Sequence, residues 1–290
     1  MLAPNSTIAV IATGAIPRLD ALAQSMELAR SWGYRLVEGP HLRDRHFVTA
    51  GTAEARSADL AWALTAPDID AVWLARGGYG SVHTLPTLSL DGLDGRPILG
   101  YSDATALFCA LDRSGYRGLV HGPLLEKLAT DVDAASQEHL RALLAGEHVA
   151  PLAGRHQCGP TAPVRGRLVG GNLSVLASLA GTPWALSTRD AILVLEDVDE
   201  PAYALDRMLT QLRCSGALDG VVGVALGEFV RCTVPKDATF SIADVLQHLL
   251  EPLGVPVIAD LPIGHGHRNL AWRYGHPAML VDGTLSAAAH

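Results

Sequence analysis

Short apolar runs that alternate with helix-like segments constrain the first half of this 290-residue chain most strongly. Residues 6–13 (STIAVIAT) form the first run, and residues 71–75 (AVWLA) and 97–101 (PILGY) continue the pattern. Residues 18–33 and 54–66 between them have the composition and end signals of helices. Strands that alternate with helices are typical of βαβ units around a parallel sheet. We therefore expect an α/β fold whose N-terminal domain has a mainly parallel sheet flanked by helices.

The second half of the chain resumes the alternation after a segment rich in turn residues. Residues 151–166 carry three prolines and three glycines, which is typical of a linker. Further apolar runs follow at 191–195 and 220–226, separated by a helical segment. The pattern predicts an N-terminal domain at 1–150, a linker at 151–166 and a C-terminal mixed α/β domain at 167–290.

Composition excludes several classes of protein. Apolar residues make up 49% of the chain and charged residues 18%, so intrinsic disorder is excluded. A net charge of −8 argues against a nucleic-acid partner.

The apolar stretch near the start is too short to span a bilayer, and no basic residue precedes Arg18 as a secretory signal would require. Four scattered cysteines without a C-x-x-C pair fit a reducing compartment, so we expect a cytoplasmic protein without a membrane partner.

Three polar residues follow the predicted carboxyl ends of strands. Ser102 lies in GYSDA at a strand-to-helix junction, where a sharp turn would expose its hydroxyl as in a nucleophile elbow. Glu196 follows the run at 191–195, and His265 follows a later strand. Singly, they could be a helix cap, a residue of a solvated acidic turn (Glu196, Asp197, Asp199, Glu200) and a loop histidine. Together they supply a nucleophile, a base and the carboxylate that orients the base.

A glycine-rich turn at residues 77–80 (GGYG) follows the strand at 71–75. Its spacing matches neither the dinucleotide fingerprint nor the P-loop, so we expect no nucleotide cofactor. Bare backbone lets an N–H group approach a substrate closely, which suits an oxyanion hole. His265 and His267 could instead bind a metal with an acidic residue, but no motif supplies a third ligand, and we expect no metal.

Seven segments spread over most of the chain form a recognisable set of motifs. They are AGTAEARSADL (50–60), IDAVWLARGGYGS (69–81), GYSDATAL (100–107), HGP (121–123), GGNLSVLASLAGTPW (170–184), ILVLEDVDEPAYALDRML (192–209) and PIGHG (262–266). In their content and order they resemble the LD-carboxypeptidase family of serine peptidases, the S66 type that includes muramoyl-tetrapeptide carboxypeptidases. The residues before AGT, which read HFVT, depart from the family's more apolar run.

The resemblance implies a role for each candidate residue. The nucleophile falls on Ser102 in the N-terminal domain, and the acid on Glu196 and the base on His265 in the C-terminal domain. The backbone amides of Asp103 and Gly78 would form the oxyanion hole. A carboxypeptidase must also bind a free carboxylate, for which Arg76 beside the glycine turn is the candidate, with a structural ion pair as its alternative role.

The resemblance also implies an activity. The family releases terminal D-alanine from the tetrapeptide stems of muropeptides by cutting an L,D bond, in cytoplasmic cell-wall recycling, and a homodimer is expected. A smaller branch, the microcin C self-immunity peptidases, cleaves aminoacyl-nucleotide analogues instead. Its members tend to have longer chains, so a length of 290 residues favours the carboxypeptidase branch. Three hypotheses therefore stand: an LD-carboxypeptidase, a microcin-type peptidase, and a non-catalytic protein that binds muropeptides or a metal.

Overall fold

The computed structural model describes residues 1–89 and 93–287, which fall into two compact units. Unit 1 comprises Met1–Val149 together with Asn269–Arg273. Unit 2 comprises Ala150–Arg268 and the chain from Tyr274 onward. In the part of the chain that the structure describes, no helix is long and apolar enough to cross a membrane.

The two units share one numbering of strands and helices in chain order. The strands are β1 (Thr7–Ile11), β2 (Arg35–Glu38), β3 (Ala71–Leu74), β4 (Ile98–Gly100), β5 (Leu119–His121), β6 (Leu152–Ala153), β7 (Arg155–Cys158), β8 (Val164–Asn172), β9 (Ala191–Val198), β10 (Val221–Val230), β11 (Val257–Ala259), β12 (Trp272–Arg273), β13 (Pro277–Val281) and β14 (Thr284–Ala287). The α-helices are α1 (Leu19–Ser31), α2 (Ala53–Thr65), α3 (Ala104–Arg113), α4 (Ala134–Ala145), α5 (Leu173–Ser178), α6 (Ala202–Cys214) and α7 (Ile242–Leu250). Short 3₁₀ helices span Ser81–Thr87, Leu125–Lys127 and Glu251–Leu253.

Unit 1 is built on a six-stranded sheet in the order β12-β5-β4-β3-β1-β2. Strands β1 to β5 are parallel, and β12 joins the edge antiparallel to β5. Strands β3, β4 and β5 are buried along their whole length, as is typical of a parallel sheet covered on both faces. This sheet confirms the predicted α/β class.

Unit 2 is built on a mixed eight-stranded sheet in the order β6-β14-β13-β8-β9-β10-β11-β7. Its centre, β8 to β11, is parallel, and its outer strands are antiparallel. The second domain is therefore mixed α/β, as predicted.

The segment at 151–166, which its composition predicts to be a linker, contains β6, β7 and the start of β8. Strand β6 pairs with β14 and β7 pairs with β11, so both lie at edges of the unit 2 sheet. The three prolines and two of the three glycines lie in the turns that flank these short strands, and β7 itself is mostly polar, as an edge strand can be. That composition therefore resembles a linker although the segment is part of the sheet.

A second difference concerns the C-terminal part of the chain. Residues 269–273, which the sequence places in the second domain, belong to unit 1. Trp272 pairs with His121 across β12 and β5, and the two rings stack with centroids 4.8 Å apart. A strand of two residues is too short to show the alternation of apolar and polar residues from which a strand is predicted.

Candidate active site

Ser102 occupies a strained turn between β4 and α3. Its φ of 63° lies in the left-handed region, which costs a non-glycine residue about 1–3 kcal/mol and is characteristic of functional sites. The strand and the helix meet closely here, because a Cβ added at Gly100 would lie 3.1 Å from the Ala104 Cβ. Small residues on both sides of the serine thus allow the sharp turn that GYSDA predicts.

The glycine-rich turn runs directly beside Ser102. A Cβ added at Gly77 would lie 3.2 Å from the Ser102 Oγ, so glycine keeps the space next to the hydroxyl open. Gly78 has a φ of 84°, and a Cβ there would lie 2.7 Å from the Ala15 Cβ. Unit 1 therefore brings the predicted nucleophile and the glycine-rich turn together. The use of the Gly78 amide as an oxyanion donor stays a prediction.

Asp103 connects the nucleophile turn to the glycine-rich turn through its side chain. Its buried carboxylate accepts hydrogen bonds from the backbone N–H of Ser81 at 2.8 Å and of Gly80 at 3.3 Å. Burial raises the pKa of this carboxyl. The hydrogen bonds from the two backbone N–H groups and the charge of Arg56 oppose the rise. The sequence predicts a role for the Asp103 amide in the oxyanion hole, with a helix cap as the alternative, and does not predict these side-chain contacts. Two features of the sequence could have indicated these contacts. An acidic residue follows the predicted nucleophile, and the glycine-rich turn has backbone N–H groups that need hydrogen-bond acceptors.

Arg56 on α2 holds the far end of the same turn. Its guanidinium is buried and donates hydrogen bonds to the carbonyls of Thr13 and, at 2.6 Å, Gly80. It also lies 3.2 Å from the Nδ1 of His83, whose Nε2 lies 3.2 Å from the Tyr79 hydroxyl. The sequence does not point to Arg56, because an arginine within an amphipathic helix is usually solvated.

Arg76 belongs to a cluster of ion pairs in unit 1. Its Nη1 donates to the Ile16 carbonyl at 3.0 Å, and its Nε lies 3.7 Å from the buried Glu126 carboxylate. Glu126 also accepts a hydrogen bond of 2.7 Å from the Arg18 backbone N–H. These contacts match the structural alternative for Arg76. Its role toward a substrate carboxylate stays a prediction.

Glu196 and His265 meet within unit 2. Glu196 is fully buried in β9, and its Oε2 lies 2.6 Å from the Nδ1 of His265. A Cβ added at Gly264 would lie 2.8 Å from the same Oε2, so glycine makes room for the carboxylate beside the histidine. A carboxylate at Nδ1 fixes the proton there and leaves Nε2 to act as a base. This pair is the arrangement that the two roles require.

The neighbouring acidic residues have other partners. Asp197 accepts hydrogen bonds from Asn172 Nδ2 at 2.9 Å and from the backbone N–H groups of Ser174 at 2.9 Å and Val198 at 2.8 Å. Burial, opposed by these bonds, raises the pKa of Asp197 to about 6. Asp199 forms an exposed ion pair with Arg231. The acidic cluster of the sequence thus divides into Glu196 at the histidine and structural carboxylates around it.

The predicted site residues are distributed over the two units. Ser102, Asp103, Gly78 and Arg76 lie in unit 1, and Glu196 and His265 in unit 2. Within residues 1–89 and 93–287, no group of three or more His, Cys, Asp or Glu side chains is arranged to hold a metal ion.

Known proteins resemble this chain along nearly its whole length. The LD-carboxypeptidase N-terminal domain matches residues 8–122, and the LD-carboxypeptidase C-terminal domain matches residues 165–280. The murein tetrapeptide carboxypeptidase of Pseudomonas aeruginosa is 36% identical over 295 residues, covering 97% of this chain and 95% of that protein. The crystal structure of muramoyltetrapeptide carboxypeptidase from Oxalobacter formigenes superimposes with a TM-score of 0.86 at 30% identity, covering 97% of each chain.

A further solved structure, of MccF in complex with glutamyl sulfamoyl guanosine, has a TM-score of 0.88 at 20% identity, covering 100% of this chain and 97% of that one. At that identity the likeness shows the fold alone. The domain matches and the full-length identity go further and confirm the resemblance and the enzyme class predicted from the sequence: the chain belongs to the LD-carboxypeptidase family of serine peptidases.

Proposed function

We propose that this protein releases terminal D-alanine from the tetrapeptide stems of muropeptides by hydrolysing an L,D bond. The observation that carries the proposal is the bond of 2.6 Å between the Nδ1 of His265 and the buried Glu196, because it prepares the histidine to act as a base. The murein tetrapeptide carboxypeptidase named among the relatives supports the choice of substrate.

The proposed mechanism begins with acylation of Ser102. His265 Nε2 takes the hydroxyl proton as Oγ attacks the scissile carbonyl carbon, and Glu196 stabilises the imidazolium that forms. The tetrahedral intermediate collapses when the bond to the D-alanine nitrogen breaks and His265 returns the proton to that nitrogen. Water, deprotonated by His265, then hydrolyses the acyl-enzyme. This step releases the shortened peptide and restores the Ser102 hydroxyl.

Backbone amides are proposed to stabilise the negative charge of the intermediate. The donors would be the N–H groups of Asp103 and Gly78, which belong to the turn of the nucleophile and to the glycine-rich turn. One such donor is typically worth about 10²–10³ in rate. The bonds from Gly80 and Ser81 to the Asp103 carboxylate would hold the two turns at a constant separation during the reaction.

The decisive experiment measures free D-alanine released from a disaccharide-tetrapeptide. Wild-type protein should release it, and Ser102→Ala should reduce the rate by at least about 10³-fold. The matched control is Ser114→Ala, which changes an exposed serine at the end of α3 and should keep full activity. Full activity of Ser102→Ala would contradict the proposed nucleophile.

The same preparation should also be offered an aminoacyl-nucleotide analogue. Turnover of that analogue without turnover of the tetrapeptide would contradict the carboxypeptidase proposal and favour the microcin-type activity. Binding of the tetrapeptide without turnover by the wild type would favour a non-catalytic role.

We further propose a cytoplasmic homodimer, on the basis of the family and of the frequency of twofold symmetry among soluble oligomers. Sedimentation equilibrium of the purified protein tests the oligomeric state. Fractionation of cells that produce it tests the compartment. A monomer at micromolar concentration, or recovery outside the cytoplasm, would contradict these two statements.

A further inference from the structure

Tyr79 presents an exposed aromatic ring from the glycine-rich turn. Its side chain is 56% exposed, although residues on both sides of the turn pack tightly. It lies two positions after Gly77, where an added Cβ would be 3.2 Å from the Ser102 Oγ, and two residues span at most about 7 Å. The tyrosine side chain therefore starts within reach of any peptide bound at Ser102.

The hydrogen bonds around His83 determine which way the Tyr79 hydroxyl donates. Arg56 Nη2 lies 3.2 Å from His83 Nδ1, and a guanidinium can only donate. Nδ1 must therefore be the unprotonated acceptor, and the ring proton of the neutral imidazole lies on Nε2. That N–H donates to the Tyr79 oxygen at 3.2 Å. The hydroxyl proton of Tyr79 is consequently directed away from His83.

Behind Tyr79, the exposed His83 is backed by the buried Arg56. Arg56 is 2% exposed and is held by the carbonyls of Thr13 and Gly80, so it cannot turn away from His83 without leaving buried carbonyls unpaired. The His83 and Tyr79 rings contact each other edge to face, with centroids 5.2 Å apart. A chain of donors that begins at a buried cation also polarises each bond that follows it. The Tyr79 hydroxyl is thus a strengthened donor that its hydrogen bond to His83 orients.

We propose that Tyr79 donates a hydrogen bond to the C-terminal carboxylate of the peptide substrate, and that His83 and Arg56 are positioning residues for its hydroxyl. This role rests on the proposed function, since a carboxypeptidase substrate ends in a free carboxylate. A charged oxygen is the acceptor that a strengthened neutral donor favours most. The other candidate, Arg76, already shares its guanidinium with Glu126 and the Ile16 carbonyl.

A binding experiment in a Ser102→Ala background tests Tyr79 without requiring turnover. The probes are the tetrapeptide with its terminal carboxylate and the same peptide as a C-terminal carboxamide. Adding Tyr79→Phe, which keeps the ring, should weaken binding of the carboxylate peptide about 10- to 100-fold and that of the carboxamide by about twofold or less. Equal losses for the two peptides, no loss for either, or no binding of the carboxylate peptide before Tyr79 is changed would overturn the proposal.

Variants of His83 test the positioning role separately. His83→Leu removes both ring nitrogens and should weaken carboxylate binding in the same direction as Tyr79→Phe. His83→Gln retains one acceptor and one donor and should restore at least part of that affinity. Recovery with glutamine supports positioning, whereas equal affinities for the leucine and glutamine variants contradict it. Failure of the proposed function has a different signature: wild-type protein binds the carboxylate peptide and releases no D-alanine.

Discussion

At the scale of single residues, glycine at position 77 is a requirement of space. Its backbone is not in the left-handed region, so alanine can adopt the same conformation without backbone strain. The added methyl group, however, would lie 3.1 Å from the Ser102 Cβ and 3.2 Å from its Oγ. The serine would have to move by a few tenths of an ångström, and small displacements of a nucleophile are costly because attack needs a defined geometry.

We therefore expect Gly77→Ala to lower kcat/KM for D-alanine release by about 10²-fold while the protein stays folded. Steady-state kinetics together with a urea unfolding curve measure the two effects. An unchanged kcat/KM, or a loss of activity that is matched by unfolding, would show that the space beside Ser102 is not needed for catalysis.

Glu196 supports a second prediction at this scale. Glu196→Gln keeps the size of the side chain but removes the charge that stabilises an imidazolium and fixes the tautomer of His265. We expect kcat for D-alanine release to fall by about 10²–10⁴-fold. The control is Asp199→Asn, which removes an exposed carboxylate paired with Arg231 and should leave kcat within about twofold and the urea midpoint of unfolding nearly unchanged. Similar kcat values for the two variants would remove Glu196 from the mechanism.

At the scale of elements, β9 carries two carboxylates with different tasks. Glu196 lies against His265, and the next residue, Asp197, has its side chain at the start of α5. Successive side chains of a strand point to opposite faces, which separates the two carboxylates. Asn172 joins the elements, because its Oδ1 caps α5 at the Val175 N–H and its Nδ2 donates to Asp197.

Asp197 makes stability depend on pH. Its pKa is about 6 in the folded chain and 3.8 without burial, so the folded chain holds this proton more tightly between those values. The free energy of unfolding therefore receives a contribution from Asp197 that decreases as the pH rises from about 4 to about 6, by a total on the order of 3 kcal/mol. Above pH 6 this contribution is constant.

Urea unfolding at several pH values, on the wild type and on Asp197→Asn, measures this effect. The difference between the two proteins isolates Asp197 from other titrating groups. We expect the wild type to lose stability relative to the variant across pH 4 to 6. Parallel pH profiles would show that burial does not raise the pKa of Asp197.

At the scale of the whole molecule, the order of residues in the chain does not follow the division into units. Strand β12, which follows His265 in the sequence, completes the sheet of unit 1 by pairing with β5. Trp272 is 4% exposed and stacks on the fully buried His121. A substitution near the C-terminus should therefore weaken the unit that contains the N-terminus.

Trp272→Ala should destabilise unit 1 by about 3–5 kcal/mol, the usual cost of truncating a buried tryptophan. Hydrogen exchange followed residue by residue should show the loss of protection in β4 and β5. Strands β13 and β14 of unit 2, although closer in sequence to the substitution, should keep their protection. Loss of protection confined to β13 and β14 would contradict the assignment of β12 to unit 1.

Local patterns in the sequence were sufficient for the main elements and for selecting three candidate catalytic residues, whose roles stay a proposal. The run AILVL indicates a buried strand because its side chains are apolar on both faces, and β9 covers it. GYSDA indicates a strained turn because it combines a strand end, small residues and a helix start, and Ser102 has a positive φ. Each of these signals lies within about ten consecutive residues. The sequence alone therefore reveals them.

Contacts between distant segments could be found only in the folded chain. The polar composition of residues 151–166 is compatible with a linker and with edge strands, and pairing with β11 and β14 decides between them. The Asp103 carboxylate is satisfied by amides 22 and 23 positions away, and Arg56 reaches Gly80 across 24 positions. A buried polar group takes whichever partners the fold brings to it, because leaving it unpaired costs about 1–3 kcal/mol. The identity of those partners is a property of the tertiary packing and not of any local pattern.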